Sequence, residues 1–301
     1  MVDYNNQREL QYALRGTDLV ISTVLGSPQI NLIDAASRAG VRRFVPAEFE
    51  GPPTRRPPPN QDPFDRGRAS AIHCLRESSR RKTRHPMQFT VFTCGIFYER
   101  FARGGLASKG IGMGTGLEHQ GAYLIDIERN TGEVIQYNSS NQAVSICMTA
   151  VADLAQFVVA ALSLDINNWP AEYRMRGDRR TVTEIINYAQ AIKNSKLIFT
   201  TFIYILLLSL PRRLSSHAHQ IAKFAVVSYT PQQLNQSLQD AESYQNHTRT
   251  VYLQTLMATA NRQYDFSSTN LNDVLNLQPV SLWDWLWRHW GPPVQAQQGQ
   301  T

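Results

Sequence analysis

The chain has few cysteines and few lysines. Its 301 residues contain three cysteines, Cys74, Cys94 and Cys147, and no two of them have Cys-x-x-Cys spacing. This scarcity argues against a disulfide framework and a cysteine-rich zinc site, so we expect a reducing compartment and no metal. Lysine accounts for 5 of the 30 basic residues and arginine for the other 25. Chemistry that needs a lysine amine therefore has few candidate positions.

The amino terminus has no long hydrophobic run. The opening residues Met-Val-Asp-Tyr-Asn-Asn lack the apolar core of a secretory signal peptide, which predicts a cytoplasmic protein. Hydrophobic residues make up 42% of the chain and charged residues 18%, a composition that is typical of globular proteins rather than disordered ones. At roughly 150 residues per domain, the length predicts about two domains, or one large domain with a small lobe.

Positive charge is concentrated in one part of the chain. The formal net charge is +6. The basic cluster consists of Arg55, Arg56, Arg66, Arg68, Arg76, Arg80, Arg81, Lys82 and Arg84. Proteins that bind nucleic acid usually interleave such charges with aromatic residues, but this stretch contains only Phe64. We therefore predict a solvated helix face or the rim of an anionic-ligand site, and no nucleic-acid partner.

The first hundred residues alternate between strand and helix patterns. A short helix is predicted over 6–15. The apolar run Asp18–Thr23 predicts a buried parallel strand, and apolar residues at helical spacing predict a helix over 29–39 that Gly40 ends. Strands over 41–45 and 88–93 and a helix over 66–79 complete the pattern. Strands that alternate with helices predict an α/β fold, in which ligands bind in the loops that follow the strands. Those loops begin at Thr23, Pro46 and Cys94.

The rest of the chain gives weaker signals. Strands are predicted over 123–127 and 143–147, and helices over 181–192 and from a Thr149 cap to Leu162. Six prolines within 50–64 predict a long surface loop or a lid over a pocket. The alternating glycines at 110, 112, 114 and 116 lack Gly-x-Gly-x-x-Gly spacing and a preceding strand, so a flexible loop is expected. Four tryptophans within 282–290 predict a core helix.

Several segments resemble the NmrA-like and isoflavone-reductase-like family. They are Val20-Ile-Ser-Thr23, Gln29, Leu32-Ile-Asp-Ala-Ala36, Ala39-Gly-Val-Arg-Arg-Phe-Val-Pro-Ala-Glu-Phe49 and Thr93-Cys-Gly-Ile-Phe-Tyr98, in the family's order. Later landmarks are Val151-Ala-Asp-Leu154, Gly177-Asp-Arg-Arg-Thr181 and Glu184-Ile-Ile186. The resemblance covers roughly residues 3–192 and 223–290.

The resemblance implies an atypical short-chain-dehydrogenase fold. It implies a Rossmann-type parallel sheet, truncated at its amino end, over 1–160, and a small substrate-binding lobe over 161–290 that also contributes to the sheet. A disordered tail is expected over 291–301. The implied activity is NAD(P)H-dependent reduction of a small aromatic or enone metabolite, with NADPH or NAD as cofactor. The alternative is a regulator that senses the dinucleotide and binds a protein partner without catalysis.

The resemblance also assigns site residues by position. Ser22 and Thr23 are expected near the adenosine half of the cofactor. The expected neighbours of the nicotinamide are Pro46, Ala47, Glu48, Phe49, Gly95 and Phe97. Tyr98 and Phe101 are expected to contact an apolar substrate. Without the family pattern, Ser22 and Thr23 could equally be the end of a strand, and Pro46 could equally be part of a turn.

The chain departs from the family at two functional positions. The Gly-x-x-G-x-x-G loop that binds the pyrophosphate is absent, so we expect an unpaired sheet edge at Asp18–Thr23 and impaired cofactor binding. The family's reductases have a lysine on the helix after the Pro-Ser-Glu-Phe-Gly loop, and the matching position here falls on Arg68 or Ala69. Arginine keeps its proton near neutral pH, so Arg68 could hold a phosphate or an enolate but could not act as an acid. His73 and His119 are weaker alternatives for that role.

A third departure is an apolar insertion at about 194–222. Leu197–Leu210 contains no charged residue, but fourteen residues are fewer than the roughly 18 to 20 that cross a bilayer. We consider three interpretations of this insertion: a translated intron, a buried or interfacial helix, and a membrane helix. The codons that can encode residues 195–197 and 221–222 would permit the splice sites of an intron. The intron is the preferred one, and no membrane association is predicted.

Overall fold

The chain forms two compact units, each built from separate stretches of sequence. The computed structural model describes residues 2–62, 64–207 and 223–292. Unit 1 comprises Met1–Ile96, Cys147–Gly177 and Gln263–Pro279, and unit 2 comprises Phe97–Ile146, Asp178–Arg262 and Val280–Thr301. Residues 97–146, which the family resemblance assigns to the first domain, cluster in unit 2. Periodicity along a chain identifies elements, but it does not show which elements pack together.

The first stretch of unit 1 alternates helices and strands as the pattern predicts. Its elements are α1 (Gln7–Ala13), β1 (Leu19–Ile21), α2 (Ser27–Ala39), β2 (Arg43–Val45), α3 (Arg68–Ser79), β3 (Gln88–Phe89) and β4 (Val91–Thr93). Helix α2 starts with Pro28 in its first turn and ends at Gly40, whose left-handed φ of 81° suits glycine. The proline-rich stretch contains two short 3₁₀ turns, Pro53–Arg55 and Pro59–Gln61.

The strands of unit 1 are parallel. Strand β2 pairs with β1 on one side and with β3 on the other. Thr90 separates β3 from β4, and β4 pairs with β9 (Glu172–Arg174). The single predicted strand over 88–93 thus changes neighbour midway. Within the described residues β1 pairs with β2 alone, so it lies at the edge of its sheet, and Ile21 is 36% exposed.

Helices α2 and α3 cover the sheet and form one core with it. The buried apolar residues of this core include Leu32, Ile33 and Ala36 from α2, Ala71, Ile72 and Leu75 from α3, and Phe44 from β2. All of these side chains are at most 9% exposed. The apolar spacing that predicts each helix is therefore the face that packs on the sheet, and removal of this surface from water stabilises the unit.

The other two stretches of unit 1 add two helices, α4 (Val151–Ala161) and α8 (Leu271–Leu275). The prediction that Thr149 caps α4 is wrong. Thr149 is the last residue of strand β8 (Ser145–Thr149), and its hydroxyl donates a hydrogen bond to the Cys94 carbonyl oxygen at 2.6 Å. Ala150 holds the cap position and makes no side-chain hydrogen bond there. Thr149 therefore ties β8 to the turn after β4.

Unit 2 contains short strands and most of the carboxyl-terminal helices. Its elements are β5 (Ile96–Phe97), whose first residue belongs to unit 1, β6 (Ile125–Asp126), β7 (Thr131–Val134), β10 (Asp178–Thr181), α5 (Val182–Leu207), β11 (Ala225–Ser228), α6 (Pro231–Ser243), α7 (His247–Ala260) and α9 (Leu282–Trp290). Strand β7 pairs antiparallel with β6 and parallel with β11. Helix α6 begins with a capping box between Thr230 and Gln233.

The tryptophan-rich segment forms α9 and packs inside unit 2, as its spacing predicts. Trp285 and Trp290 are 5% and 2% exposed, and the Trp290 indole donates a hydrogen bond to the Phe101 carbonyl oxygen at 2.8 Å. Ser281 caps this helix through the Asp284 backbone N–H. Trp285 and Trp290 therefore belong to the core of unit 2, and the indole N–H of Trp290 is hydrogen-bonded there.

Helix α5 (Val182–Leu207) extends beyond the predicted boundary at Ile192 into the apolar insertion. Residues 208–222 lie outside the described residues, as does the predicted tail from residue 293 onward. In the described part of the chain, no helix combines the length and apolar character that crossing a membrane requires.

Candidate functional site

Three loops meet at the carboxyl ends of the parallel strands of unit 1. The Ser22 N–H after β1 donates to the Val45 carbonyl oxygen at 2.8 Å. The Ala47 N–H after β2 donates to Oε1 of Gln29, on α2, at 2.7 Å. The N–H groups of Cys94 and Gly95 after β4 donate to the Glu50 carbonyl oxygen at 3.0 and 3.1 Å. We call these loops, residues 22–26, 46–50 and 94–95, the carboxyl edge.

The first loop presents one of its two predicted cofactor residues to solvent. Ser22 is 2% exposed, and its hydroxyl lies 3.3 Å from the Val24 carbonyl oxygen, to which it donates. Thr23 is exposed. Ser22 therefore shapes the turn, whereas Thr23 has a side chain that a ligand could reach.

The second loop is largely buried and contains a buried ion pair. Pro46, Ala47 and Glu48 are buried, and Phe49 is half-buried with its ring centroid 6.5 Å from that of Phe92. The Glu48 side chain is 0% exposed and pairs with the Arg56 guanidinium, which is 8% exposed. Glu48 thus turns its carboxylate towards the proline-rich stretch, so a ligand at this loop would meet mainly backbone.

Arg56 remains charged in this environment. Burial on its own would lower the pKa of Arg56, but the hydrogen bond and charge of Glu48 outweigh burial and raise that pKa. The nearby carboxylates of Glu50 and Asp62 act in the same direction. Arg56 therefore neutralises Glu48 permanently within the fold.

Arg68, the predicted catalytic residue, is the first residue of α3 and belongs to the same charge cluster. Its Nη1 atom lies 2.7 Å from Oε2 of Glu50, and both side chains are 17% exposed. Gly67, which precedes it, approaches the backbone of Gly26, so α3 begins next to the start of α2. The structure thus brings Arg68 to the carboxyl edge.

Two buried donors at this edge lack acceptors within the described part of the chain. They are Nε of Arg68 and Nε2 of Gln29, whose other amide atom holds Ala47. A buried donor without an acceptor costs free energy, and a ligand with phosphate, ribose or carboxamide oxygens could supply acceptors. The edge therefore has donor groups of the kind that a dinucleotide uses.

The third loop turns through Gly95, which has a left-handed φ of 72°. A Cβ atom at this position would overlap the Cys147 carbonyl group, so only glycine fits. Burial, reinforced by the Glu50 charge, raises the pKa of the neighbouring Cys94 thiol and keeps it neutral. Gly95 thus has a packing role, and its predicted proximity to the nicotinamide stays a prediction.

The predicted substrate residues lie in unit 2, where they pack in the core. Phe97, a predicted neighbour of the nicotinamide, lies in the same unit and is half-buried. Tyr98 is 0% exposed, and its hydroxyl donates to the Val280 carbonyl oxygen at 3.2 Å. Phe101 is 2% exposed and lies beside the Tyr123 ring. The structure gives Tyr98 and Phe101 little surface for a ligand, so their contact with substrate stays a prediction.

The glycine-rich stretch forms a loop around one carboxylate. Gly110, Gly112, Gly114 and Gly116 all have positive φ. Glu118 is 6% exposed, and its carboxylate accepts hydrogen bonds from the Gly114 N–H at 3.1 Å and the Thr115 hydroxyl at 3.0 Å. Its own N–H, assisted by those two donors, overcomes burial and lowers the pKa of Glu118 to about 2. Donors of this loop therefore bind the carboxylate of Glu118 within the loop itself.

We expect Glu118→Gln to destabilise the protein in a pH-dependent way. The folded pKa of about 2 lies below the ordinary value of 4.5, so the carboxylate stabilises the fold above pH 4.5 and loses this effect as the pH falls towards 2. The variant should melt a few degrees below the wild type at pH 7, and the gap should close on acidification. Thermal unfolding at several pH values tests this. Glu242→Gln, at an exposed position, is the control. A difference in melting temperature between Glu118→Gln and the wild type that does not change with pH would contradict the stabilising role of the Glu118 carboxylate.

Sequence reasoning gave no site role to three residues that form or contact the carboxyl edge: Gln29, Glu50 and Arg56. Gln29 is one of the family-like positions, Glu50 directly follows a family-like segment, and Arg56 belongs to the basic cluster. A buried carboxylate directly after a parallel strand needs a cation nearby, and this requirement is the signal that could have pointed to Arg56.

Comparisons with known proteins agree with this architecture. No family model matches the chain. A segment of 50 residues is 50% identical to the oxidoreductase aprR of Aspergillus flavus, and this alignment spans 16% of the chain and 17% of that relative. An isoflavone reductase structure is 16% identical with a TM-score of 0.59, covering 95% of this chain and 80% of its own.

Two further structures cover the chain to the same extent. Leucoanthocyanidin reductase from Vitis vinifera, solved as a binary complex with NADPH, is 13% identical with a TM-score of 0.57 and covers 95% of this chain and 80% of its own. A nucleoside-diphosphate-sugar epimerase from Staphylococcus aureus is 14% identical, also with a TM-score of 0.57, and covers 95% and 81%. At these identities the likeness establishes the fold: the chain has the Rossmann-type α/β fold of these proteins.

Proposed function

We propose that the chain is an NAD(P)H-dependent oxidoreductase of the isoflavone-reductase-like type that reduces a small aromatic or enone metabolite. The observation that carries the proposal is the carboxyl edge, because ligands of open parallel sheets bind where the loops after the strands converge. The fold shared with reductases and the short segment in common with an oxidoreductase support it.

The residues of the carboxyl edge fit a dinucleotide in part. The Arg68 side chain is 17% exposed and its Nε lacks an acceptor in the described chain, and the N-terminus of α2 has no side-chain cap. These groups suit the oxygens of NADPH, or of NAD in the alternative. The sequence contains no Gly-x-x-G-x-x-G loop.

In this proposal Arg68 supplies a fixed positive charge. The cofactor, when bound, supplies the hydride, and the protein binds and orients both partners. A guanidinium keeps its proton at neutral pH, so Arg68 would hold a phosphate or a developing enolate oxygen rather than donate a proton. Glu50 is a positioning residue, because its carboxylate holds Nη1 of Arg68.

The first experiment is calorimetric titration of the full chain with NADPH and NADH, followed by assay of cofactor oxidation with a panel of aromatic enones. Saturable binding together with enone-dependent oxidation would support the proposal. Failure of both cofactors to bind a folded chain would refute it.

Arg68→Ala is expected to lower kcat/KM for cofactor oxidation by about 10- to 100-fold, which corresponds to about 1.4–2.7 kcal/mol. Arg68→Lys should retain more activity, because it keeps the charge. Arg76→Ala is the matched control, since Arg76 is exposed on the same helix. Equal losses in Arg68→Ala and Arg76→Ala would contradict a specific role for Arg68, and circular dichroism would verify that all three variants fold.

A dinucleotide-sensing regulator is the second candidate. The observation in its favour is that α3 contains no lysine, so the proton donor of the family's reductases is missing. A regulator would bind NADPH and NADP⁺ with different affinities and show no turnover with any enone. Turnover of an enone would decide against it.

A further inference from the structure

A basic cavity lies at the amino ends of the strands of unit 1. Its volume is about 730 Å³. The segments that line it come just before parallel strands: Gly40–Arg43 before and at the start of β2, Arg84–Gln88 before and at the start of β3, and Ile166–Asn167 ahead of β9. In a parallel sheet this edge is opposite the carboxyl edge. The cavity is therefore separate from the proposed cofactor site.

The cavity wall is positively charged. Its basic residues are Arg42, Arg43, Arg84 and His85, and none of its lining residues is acidic. Arg84 has no salt-bridge partner in the described ranges, and Arg42 has an exposed partner, Asp18, at 3.4 Å. The preceding residues Arg81 and Lys82 are exposed and add to the same potential. This wall accounts for part of the basic cluster in the sequence.

The strongest feature is the buried side chain of Arg43. It is 5% exposed, yet its hydrogen bonds go only to neutral acceptors: the Thr90 hydroxyl at 2.7 Å and the carbonyl oxygens of Phe89 and Asn167 at 3.5 and 3.4 Å. Among the residues that the structure describes, it forms no salt bridge. Burial lowers the pKa of Arg43, and the electrostatic influence of Tyr173 and then of Asp165 opposes the shift without reversing it.

A buried cation without a counter-charge is costly, and a bound anion would remove that cost. Guanidinium groups hold phosphate oxygens through paired N–H donors, and two or three converging arginines suit a multiply charged group. The volume lies in the range of small-molecule sites. A concave cavity of this size fits a compact ligand better than it fits an extended polymer such as nucleic acid.

We propose that this cavity binds the phosphate group of a small molecule, at a site independent of the cofactor. The probe is inorganic pyrophosphate, titrated calorimetrically into the full chain at low ionic strength because salt screens such contacts. Saturable binding is expected, weakened at least about fivefold in Arg84→Ala and abolished in Arg43→Met. Arg8→Ala is the matched control, since Arg8 is exposed elsewhere in unit 1, and it should bind as the wild type does.

Adenosine monophosphate and inorganic phosphate, used as further probes, distinguish a nucleotide from a free anion as the source of the phosphate. Either one is expected to bind with the same dependence on Arg84. Absence of binding by all three probes would overturn the proposal, as would equal binding to the wild type and Arg84→Ala. Binding of duplex DNA alone would also overturn it, because the basic stretch would then be a surface for a polymer.

Competition with NADPH separates this proposal from the proposed function. Excess pyrophosphate should leave NADPH binding unchanged, and Arg84→Ala should bind NADPH like the wild type. Displacement of pyrophosphate by NADPH in both proteins would place the anion at the carboxyl edge and overturn the cavity assignment. If NADPH does not bind at all, pyrophosphate titration still tests the cavity by itself.

Discussion

Gly95→Ala is expected to lower the free energy of unfolding by about 2–5 kcal/mol, the sum of two effects. A left-handed φ costs a non-glycine residue about 1–2 kcal/mol, and overpacking at a closed position adds about 1–3 kcal/mol. At φ 72°, the new Cβ would overlap the carbonyl group of Cys147 in β8. The turn after β4 would have to move away from β8, which would also disturb the hydrogen bond between Thr149 and Cys94.

Gly114→Ala provides a matched control for this effect. Gly114 has the same φ of 72°, but a Cβ atom there has no neighbour within 4 Å. It should therefore show only the conformational penalty of about 1–2 kcal/mol. Urea unfolding followed by circular dichroism measures both variants. Equal losses would show that the contact with Cys147 contributes nothing.

Arg56→Met is expected to cost about 3–5 kcal/mol, because it leaves the fully buried Glu48 carboxylate without a counter-charge. The double variant Glu48→Leu/Arg56→Met should recover much of this loss, since replacement of both partners by apolar side chains removes the unpaired charge. The same unfolding measurement applies to both.

Arg76→Met is the control for loss of an arginine as such. Arg76 is exposed on α3, and we expect a change within about 0.5 kcal/mol. A double variant less stable than Arg56→Met would contradict the interpretation, because the pair would then stabilise the protein through its own attraction.

Local patterns in the sequence predict the elements of unit 1 well, and tertiary contacts explain where they fail. Gly40 ends α2 as predicted because its left-handed conformation is a local property. The predicted strand over 88–93 is divided at Thr90, since its two halves pair with different strands. Thr149 was assigned to a helix cap, but β8 and the turn at Cys94 use its hydroxyl. The strands that pair with the two halves of 88–93, and the Cys94 carbonyl that binds Thr149, are distant in sequence, so no local pattern contains them.

The candidate site follows the same division. The strand rule predicts that the loops at Thr23, Pro46 and Cys94 belong together, and they do share hydrogen bonds. It does not predict that Gln29 holds the second loop or that Arg56 neutralises Glu48. Such side-chain contacts depend on the path of the chain in space. The basic cavity at the opposite edge escapes the rule altogether, because the rule considers only the carboxyl ends of strands.

The discontinuous make-up of unit 1 has a consequence for its biosynthesis. The unit needs residues 263–279, because the Cys147 N–H donates to the Tyr264 carbonyl oxygen at 2.9 Å and the Asn270 side chain holds the Arg174 N–H at 2.7 Å. On the ribosome, the first 96 residues emerge long before these partners do. Contacts between residues so distant in sequence slow folding, and apolar surface stays exposed to solvent until they form. Most of the chain, through residue 279, must therefore be translated before the nascent unit can close.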